Sequence, residues 1–321
     1  MKHLAVILIV LLLASLACSL DFNPPPLSLT PPNVAATSTP LIIPVTLTSI
    51  PLSPTAYSTP DGSALSLAQL KNAEYKLPFY GHTVKLVDGK YEQGSGADYM
   101  FAQLLDQVAF GDLNGDGLGD AAILLAENGG GSGVFVSVIA ILNQNGQPVQ
   151  GPAAPVDDRP KINKIAIENG EIFLDAIIHG INEPMCCPAT PSTRNYRLLE
   201  NELVLARFST KTSAGDERII SIDAPVDGDQ ISGAFVIKGG VTISPFENNL
   251  VYQVFLQGRK EPVAQAGFLV SADEMGGPGT FELPLDFSVA GFKGPIRVEI
   301  SDLSAADGSI LALNTVFVVI K

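Results

Sequence analysis

Thr280-Phe281-Glu282-Leu283-Pro284-Leu285-Asp286-Phe287 is the stretch that decides the fold of this chain. Phe281, Leu283, Leu285 and Phe287 occupy every second position, and Glu282 and Asp286 lie between them. Successive side chains of a strand point to opposite faces, so this stretch has one face for a core and one for water. Ile296, Val298 and Ile300 oppose Arg297 and Glu299 in the same way. Working outward, further strand candidates recur at regular spacing: Ile219–Asp223, Ala234–Ile243, Leu250–Gln257, Ala264–Val270 and Leu311–Ile320. With Thr280–Phe287 and Ile296–Ile300 they make seven strands in about a hundred residues, the signature of a two-sheet β-sandwich over 218–321.

The same region carries a set of short motifs. Ile222–Pro225 is followed by Asp227-Gly228 and Ile231-Ser232-Gly233, then by Gly239, Phe246-Glu247, the Phe281–Phe287 strand and Ser304-Ala305-Ala306-Asp307-Gly308-Ser309. Together they resemble the immunoglobulin-like domain at the end of bacterial spore germination proteins. The resemblance implies a non-catalytic envelope module, often fused to other exported domains, and does not imply sporulation. The region has no Trp and no Cys, so it is not an antibody-type domain. Ser304–Ser309 reads as a structural turn with Gly308 at positive φ rather than a ligand loop.

Upstream, residues 63–210 read as a second β-rich domain, joined to the sandwich by a linker at 211–217. A short helix or irregular segment is expected over Leu67–Tyr75. Strands are expected at Thr83–Val87, Val108–Phe110, Ala121–Ala126, Val134–Leu142, Ile162–Ile167, Glu171–Ile178, Arg194–Leu199 and Glu202–Phe208. Asn145-Gly146 and Asn169-Gly170 sit between apolar runs and predict tight hairpins, because both turn positions want φ > 0. Gly129-Gly130-Gly131-Ser132-Gly133 has the look of a phosphate cradle but lacks the lysine and the following helix, so it reads as a hairpin tip. The fold class is therefore mainly β: an antiparallel β-rich (α+β) domain followed by an immunoglobulin-like β-sandwich.

The sharpest chemical motif lies in the first domain. Asp112-Leu113-Asn114-Gly115-Asp116-Gly117-Leu118-Gly119-Asp120 sets side-chain oxygens at positions one, three, five and nine, with glycine at six. The carbonyl of Leu118 at position seven completes an oxygen set of the kind calcium takes, from Asp112, Asn114, Asp116, Leu118 and Asp120. Position twelve is Ile123, not the bidentate Glu of an EF-hand. With Phe110-Gly111 before it, the motif resembles the calcium loops of integrin-type β-propeller repeats; a single copy does not imply a propeller. The competing reading is an Asp/Asn/Gly turn held by its own side-chain hydrogen bonds.

Met185-Cys186-Cys187-Pro188 is the second motif, with His179 upstream. Adjacent cysteines in an exported protein can close a vicinal disulfide, although neighbouring Cα atoms lie only about 3.8 Å apart, below the usual range. A rigid loop clip ranks first, copper binding with His179 second, and thiol redox chemistry third. No G-x-S-x-G elbow or HExxH occurs, and the histidines are His3, His82 and His179. No catalytic residues are therefore assigned. Asp157-Asp158, beside Arg159 and a proline, is expected in a solvated loop. From about Leu70 to Leu205 the chain also resembles uncharacterised bacterial exported proteins that share the Asn-Gly-Asp-Gly turn, the Gly-Gly-Ser-Gly hairpin and the Met-Cys-Cys-Pro run.

At the start, Lys2 precedes ten apolar residues, Leu4–Leu13, and Ala14-Ser15-Leu16-Ala17 leads into Cys18. Ten residues make only about 15 Å of helix, short of a bilayer core. Ser15-Leu16-Ala17-Cys18 resembles a bacterial lipobox, which implies cleavage after residue 17 and lipidation of Cys18. The competing reading is an uncleaved anchor extending to Leu20. Ser19–Gly62 holds ten prolines and thirteen Ser or Thr, and no Lys, Arg or Glu, so residues 18–62 read as a disordered stalk. A net charge of −14 argues against nucleic acid and against an electrostatic grip on anionic lipid.

Two functions follow. The favoured one is a non-catalytic cell-envelope lipoprotein, exported and held to the membrane by its lipid anchor. In it a calcium-stabilised β domain and an immunoglobulin-like module bind or scaffold an envelope protein or polysaccharide. The alternative is an exported copper-binding or thiol-redox protein using His179, Cys186 and Cys187.

Overall fold

The alternation over Phe281–Phe287 is realised in a strand, Gly279–Asp286, with Phe281, Leu283 and Leu285 buried and Glu282, Pro284 and Asp286 exposed. The computed structural model describes residues 64–288 and 291–321, all within one unit, Ala56–Lys321. The expected signal at 1–17, Cys18 and the stalk at 18–62 lie outside the described residues.

In chain order the first half contains α1 (Leu67–Lys71), β1 (Glu74–Lys76), β2 (Thr83–Lys85), β3 (Lys90–Gln93), β4 (Met100–Gly111), β5 (Asp120–Asn128) and β6 (Phe135–Gln144). It continues with β7 (Gln147–Asp158), β8 (Lys161–Glu168), β9 (Glu171–Ile178), β10 (Thr190–Leu199) and β11 (Glu202–Lys211). The second half contains β12 (Glu217–Arg218), β13 (Ile220–Ala224), β14 (Gln230–Ile231), β15 (Ala234–Val241) and β16 (Asn249–Leu256). The last strands are β17 (Ala264–Leu269), β18 (Ser271–Ala272), β19 (Gly279–Asp286), β20 (Gly294–Leu303) and β21 (Ile310–Ile320). Among the described residues no helix is long and apolar enough to cross a membrane.

All the strands the sequence predicts are present. The helix is shorter than expected. Ser66 and Gln69 close a capping box that starts α1, but Tyr75 leaves the helical path and pairs with Val84 to bury its ring. Not predicted were β1, β3, the first half of β4, β7 and the two-residue strands β12, β14 and β18. Pro148, Pro152 and Pro155 interrupt any strand pattern in the sequence, yet β7 is the edge strand of its sheet, where prolines are tolerated.

The first half is a sandwich. A sheet ordered β3-β4-β5-β6-β7 faces the β8–β11 meander. Its central strand explains the unbroken apolar run at Ala121–Ala126. Ala122, Leu124 and Ala126 point into the core shared with β9–β11, whereas Ala121, Ile123 and Leu125 point to a second core closed by α1 and the β1–β2 hairpin. A strand covered on both faces has no polar side, so alternation vanishes. The Asn145-Gly146 and Asn169-Gly170 turns form as expected, with φ of 55° and 80°, and 53° and 77°. Gly129–Gly133 is the β5–β6 hairpin tip, gathered by Asn128, whose amide donates to the carbonyls of Gly131 and Gly133.

In the second half a sheet ordered β13-β15-β19-β18 packs on β17-β16-β20-β21 around Ile237, Leu250, Val254, Leu283, Val298 and Ile300. The Ser304–Ser309 turn is structural: Gly308 has φ 75°, and its N–H donates to the Ser304 carbonyl at 2.9 Å. The two halves share a sheet. β21 pairs with β11 through Arg207↔Asn314 and Phe208↔Leu313, so one hydrogen-bonded surface runs from β17 to β8. The segment at 211–217 is a tight reversal. The Thr212 N–H donates to the Asp216 carbonyl at 2.8 Å, and β12 returns along β11.

Candidate functional site

The Asp112–Asp120 loop connects β4 to β5, and Gly115 and Gly117, at φ 79° and 82°, let it coil back on itself. Asp112 accepts the N–H of Gly115 at 2.7 Å and of Gly117 at 2.9 Å. Asn114 accepts the N–H of Asp116 at 2.9 Å, and Asp116 accepts that of Leu118 at 2.8 Å. Asp120 is fully buried; one carboxylate oxygen takes the N–H of Leu113 at 3.0 Å, the other that of Asn143 at 2.8 Å. The predicted side-chain ligands thus share one loop, with their oxygens engaged by its own and neighbouring backbone. Among the described residues no three His, Cys, Asp or Glu converge as a metal set.

The electrostatics of the loop are one-sided. Burial pushes the Asp120 carboxyl above the usual range, two backbone N–H groups oppose that, and the charges of Asp116 and Asp112 push it further up. Among the described residues none of the three is within 4.0 Å of a cationic side chain. The donor atoms are the hard oxygens calcium prefers. A cation there has to compete with the N–H groups that hold them.

The second motif lies in the β9–β10 connection. Cys186 and Cys187 are joined by a disulfide, with Cα atoms 3.8 Å apart. The loop around them is clamped at its neck by Glu183, which accepts the N–H of Ala189 at 2.7 Å and of Gly180 at 2.9 Å and the hydroxyl of Thr190 at 2.7 Å. Burial works against the Glu183 charge, but these three donors outweigh it and hold the carboxyl below its usual range. His179 turns instead toward Asp157: its N–H and its Nδ1 lie 2.5 and 3.0 Å from the same carboxylate oxygen. His179 and the two cysteines therefore do not form a metal set.

Asp157-Asp158 is not the solvated loop expected. Both residues end β7, and Asp158 is buried, accepting the N–H of Val134 at 2.7 Å and pairing with Arg159 at 2.6 Å. That pairing, against burial, lowers its carboxyl below the usual range. The acids are held inside because β7 pairs with β6 up to Phe135↔Asp158.

Beside the His179–Asp157 pair opens a cavity of about 920 Å³ that also reaches Glu183, Arg194, Phe208 and Leu311. Reasoning from the sequence missed it. Its residues come from β7, β9, β10, β11, β12, the start of β21 and the β9–β10 connection, and no local spacing connects them. A second, more apolar groove of about 670 Å³ lies between the β10–β11 hairpin and the sandwich, floored by Phe255 and Phe317. Arg297 and Arg197 stack over those two rings at 3.9 and 4.2 Å.

Residues 219–309 match the family model of the immunoglobulin-like domain of bacterial spore germination. That domain type supports a binding or scaffolding module. The match begins just before β13 and ends at the turn into β21, so the strand that joins the immunoglobulin-like domain to β11 follows the matched stretch. No curated protein and no solved structure matches the chain.

Proposed function

We propose that this chain is a non-catalytic, exported surface protein, tethered through a lipid on Cys18, that binds or scaffolds an envelope protein or polysaccharide. The observation that carries the reading is the immunoglobulin-like domain of spore germination type at 219–309, built into one continuous sheet with a second β domain. A rigid two-domain surface suits binding, because little ordering entropy is lost when a partner docks. The lipobox-like Ser15-Leu16-Ala17-Cys18 and the proline-rich 18–62 supply the tether and spacer of this reading. Calcium at the Asp112–Asp120 loop belongs to it too, since a cation would relieve the mutual repulsion of Asp112, Asp116 and Asp120.

Cell fractionation tests the tether, and co-sedimentation tests the function. The wild-type chain is expected in the membrane fraction, and Cys18→Ser in the soluble exported fraction or with its signal uncut. Purified protein is expected to sediment with isolated envelope material. Full recovery in the supernatant with every envelope fraction would overturn the binding role.

A further inference from the structure

Arg194 projects from β10 into the space between the two sheets of the first domain and is only 9% exposed. Its Nη1 donates to the carbonyl of Val156 at 2.9 Å and reaches that of Pro155 and the hydroxyl of Tyr196 at 3.4 and 3.3 Å. The guanidinium lies 5.1 Å from the centre of the Phe208 ring, and Nε is buried without a partner. Among the described residues no carboxylate pairs with it. The other enclosed arginines each have one: Arg197 has Glu171 and Asp227, Arg218 has Asp302, and Arg297 has Glu299. A cation removed from water costs several kcal/mol unless an anion offsets it, so an uncompensated Arg194 calls for an anion from outside the chain.

A second orphan lines the same cavity. The His179 side chain is 10% exposed, its Nδ1 faces Asp157, and its Nε2 is buried with no partner. Asp157 can only accept, so Nδ1 carries the proton, the ring is held in place, and a neutral ring keeps Nε2 as an acceptor. The remaining wall includes Val156, Leu205 and Phe208, and a volume of about 920 Å³ suits a small organic molecule. Asp157 and Glu183 also line the wall, as do Lys211 and Arg218, so selectivity rests on the apolar surface: an anion without an apolar body leaves that surface uncovered.

We propose that this cavity binds a small monocarboxylate with an apolar body, its carboxylate seated on Arg194, whose Nε has no partner in the chain. A guanidinium fork matches a carboxylate in two parallel hydrogen bonds. The apolar tail lies on Leu205 and Phe208.

Calorimetric titration of the full mature chain with hexanoate, hexan-1-ol and inorganic phosphate tests this. Hexanoate is expected to bind one to one, about tenfold or more tighter than hexan-1-ol, and phosphate to give no heat. Arg194→Met keeps the stem and its contact with Phe208, and is expected to weaken hexanoate by about tenfold or more while circular dichroism stays native. Should Arg194→Met not fold, Arg194→Lys retains the charge without the fork and is expected to weaken hexanoate several-fold. No hexanoate binding at about 10 mM, equal binding of the alcohol, or an affinity indifferent to the substitution in a folded variant would overturn the proposal.

Discussion

Glu127 shows how much a single buried carboxylate decides. It is wholly enclosed at the end of β5 and accepts the N–H groups of Phe79 and Tyr80 at 3.2 and 3.3 Å. Burial pushes its carboxyl above the usual range, and those N–H bonds only partly restore it. The folded state then keeps a proton that the unfolded chain has already lost. Stability should fall as pH rises from the ordinary Glu value through the raised folded value. Glu127→Gln, whose carbonyl can still accept both N–H groups, should flatten that slope in urea melts taken across the window. An unchanged slope would assign it to other groups. Calcium acts at the same scale. If the Asp112–Asp120 loop holds it, a hundredfold excess over Kd adds about 2.7 kcal/mol, and Asp112→Ala with Asp116→Ala should erase the difference between calcium and chelator melts. Identical wild-type melts in both conditions would remove calcium from the account.

Among the elements, β13 and β15 meet at Gly239, one of the positions on which the family resemblance rested. A Cβ there would lie 2.0 Å from the Ser221 carbonyl oxygen and 2.6 Å from the Phe281 ring. Neither neighbour has room to yield, since one is backbone in the paired strand and the other is core. Gly239→Ala should therefore part the strands and cost about 2 kcal/mol or more, read as a lowered thermal midpoint; a native midpoint would show that β13 moves freely. The same scale explains where strand prediction succeeded. Phe281–Phe287 and Ile296–Ile300 have one wet face, so the sequence alternates. Met100–Gln107 and Gln147–Asp158 carry Gln, Gly and Pro where a strand pattern was sought, and only pairing partners on β3, β5 and β6 make strands of them.

For the whole molecule, the seam between β11 and β21 is the defining feature. Leu313 belongs to the sandwich by sequence but is buried in the core of the first domain, and Thr210 and Thr315 cross the seam to the carbonyls of Leu311 and Leu205 at 2.6 and 3.2 Å. The Arg218–Asp302 pair, with Asp302 buried, adds a charge contact beside it. Shared sheet and shared core predict that residues 64–321 unfold in one calorimetric transition, with calorimetric and van't Hoff enthalpies in agreement. Leu313→Lys puts a charge into that core and should split the transition in two. Two transitions in the wild type would show that the seam does not couple the halves.

The sequence by itself determined the mainly β class, the sandwich strands, the Asn-Gly hairpins and the closure of the Asp112–Asp120 loop. Each depends on residues within about a dozen positions of one another, where side-chain period and turn chemistry act directly. Only the tertiary structure decided the rest. It drew Asp157-Asp158 into β7, turned His179 away from the cysteines and toward Asp157, and continued the sandwich sheet into the first domain. It also left Arg194 and His179 beside one cavity, each with an unmatched nitrogen. Whether a buried charge is matched depends on every strand around it, and no stretch of sequence contains that sum.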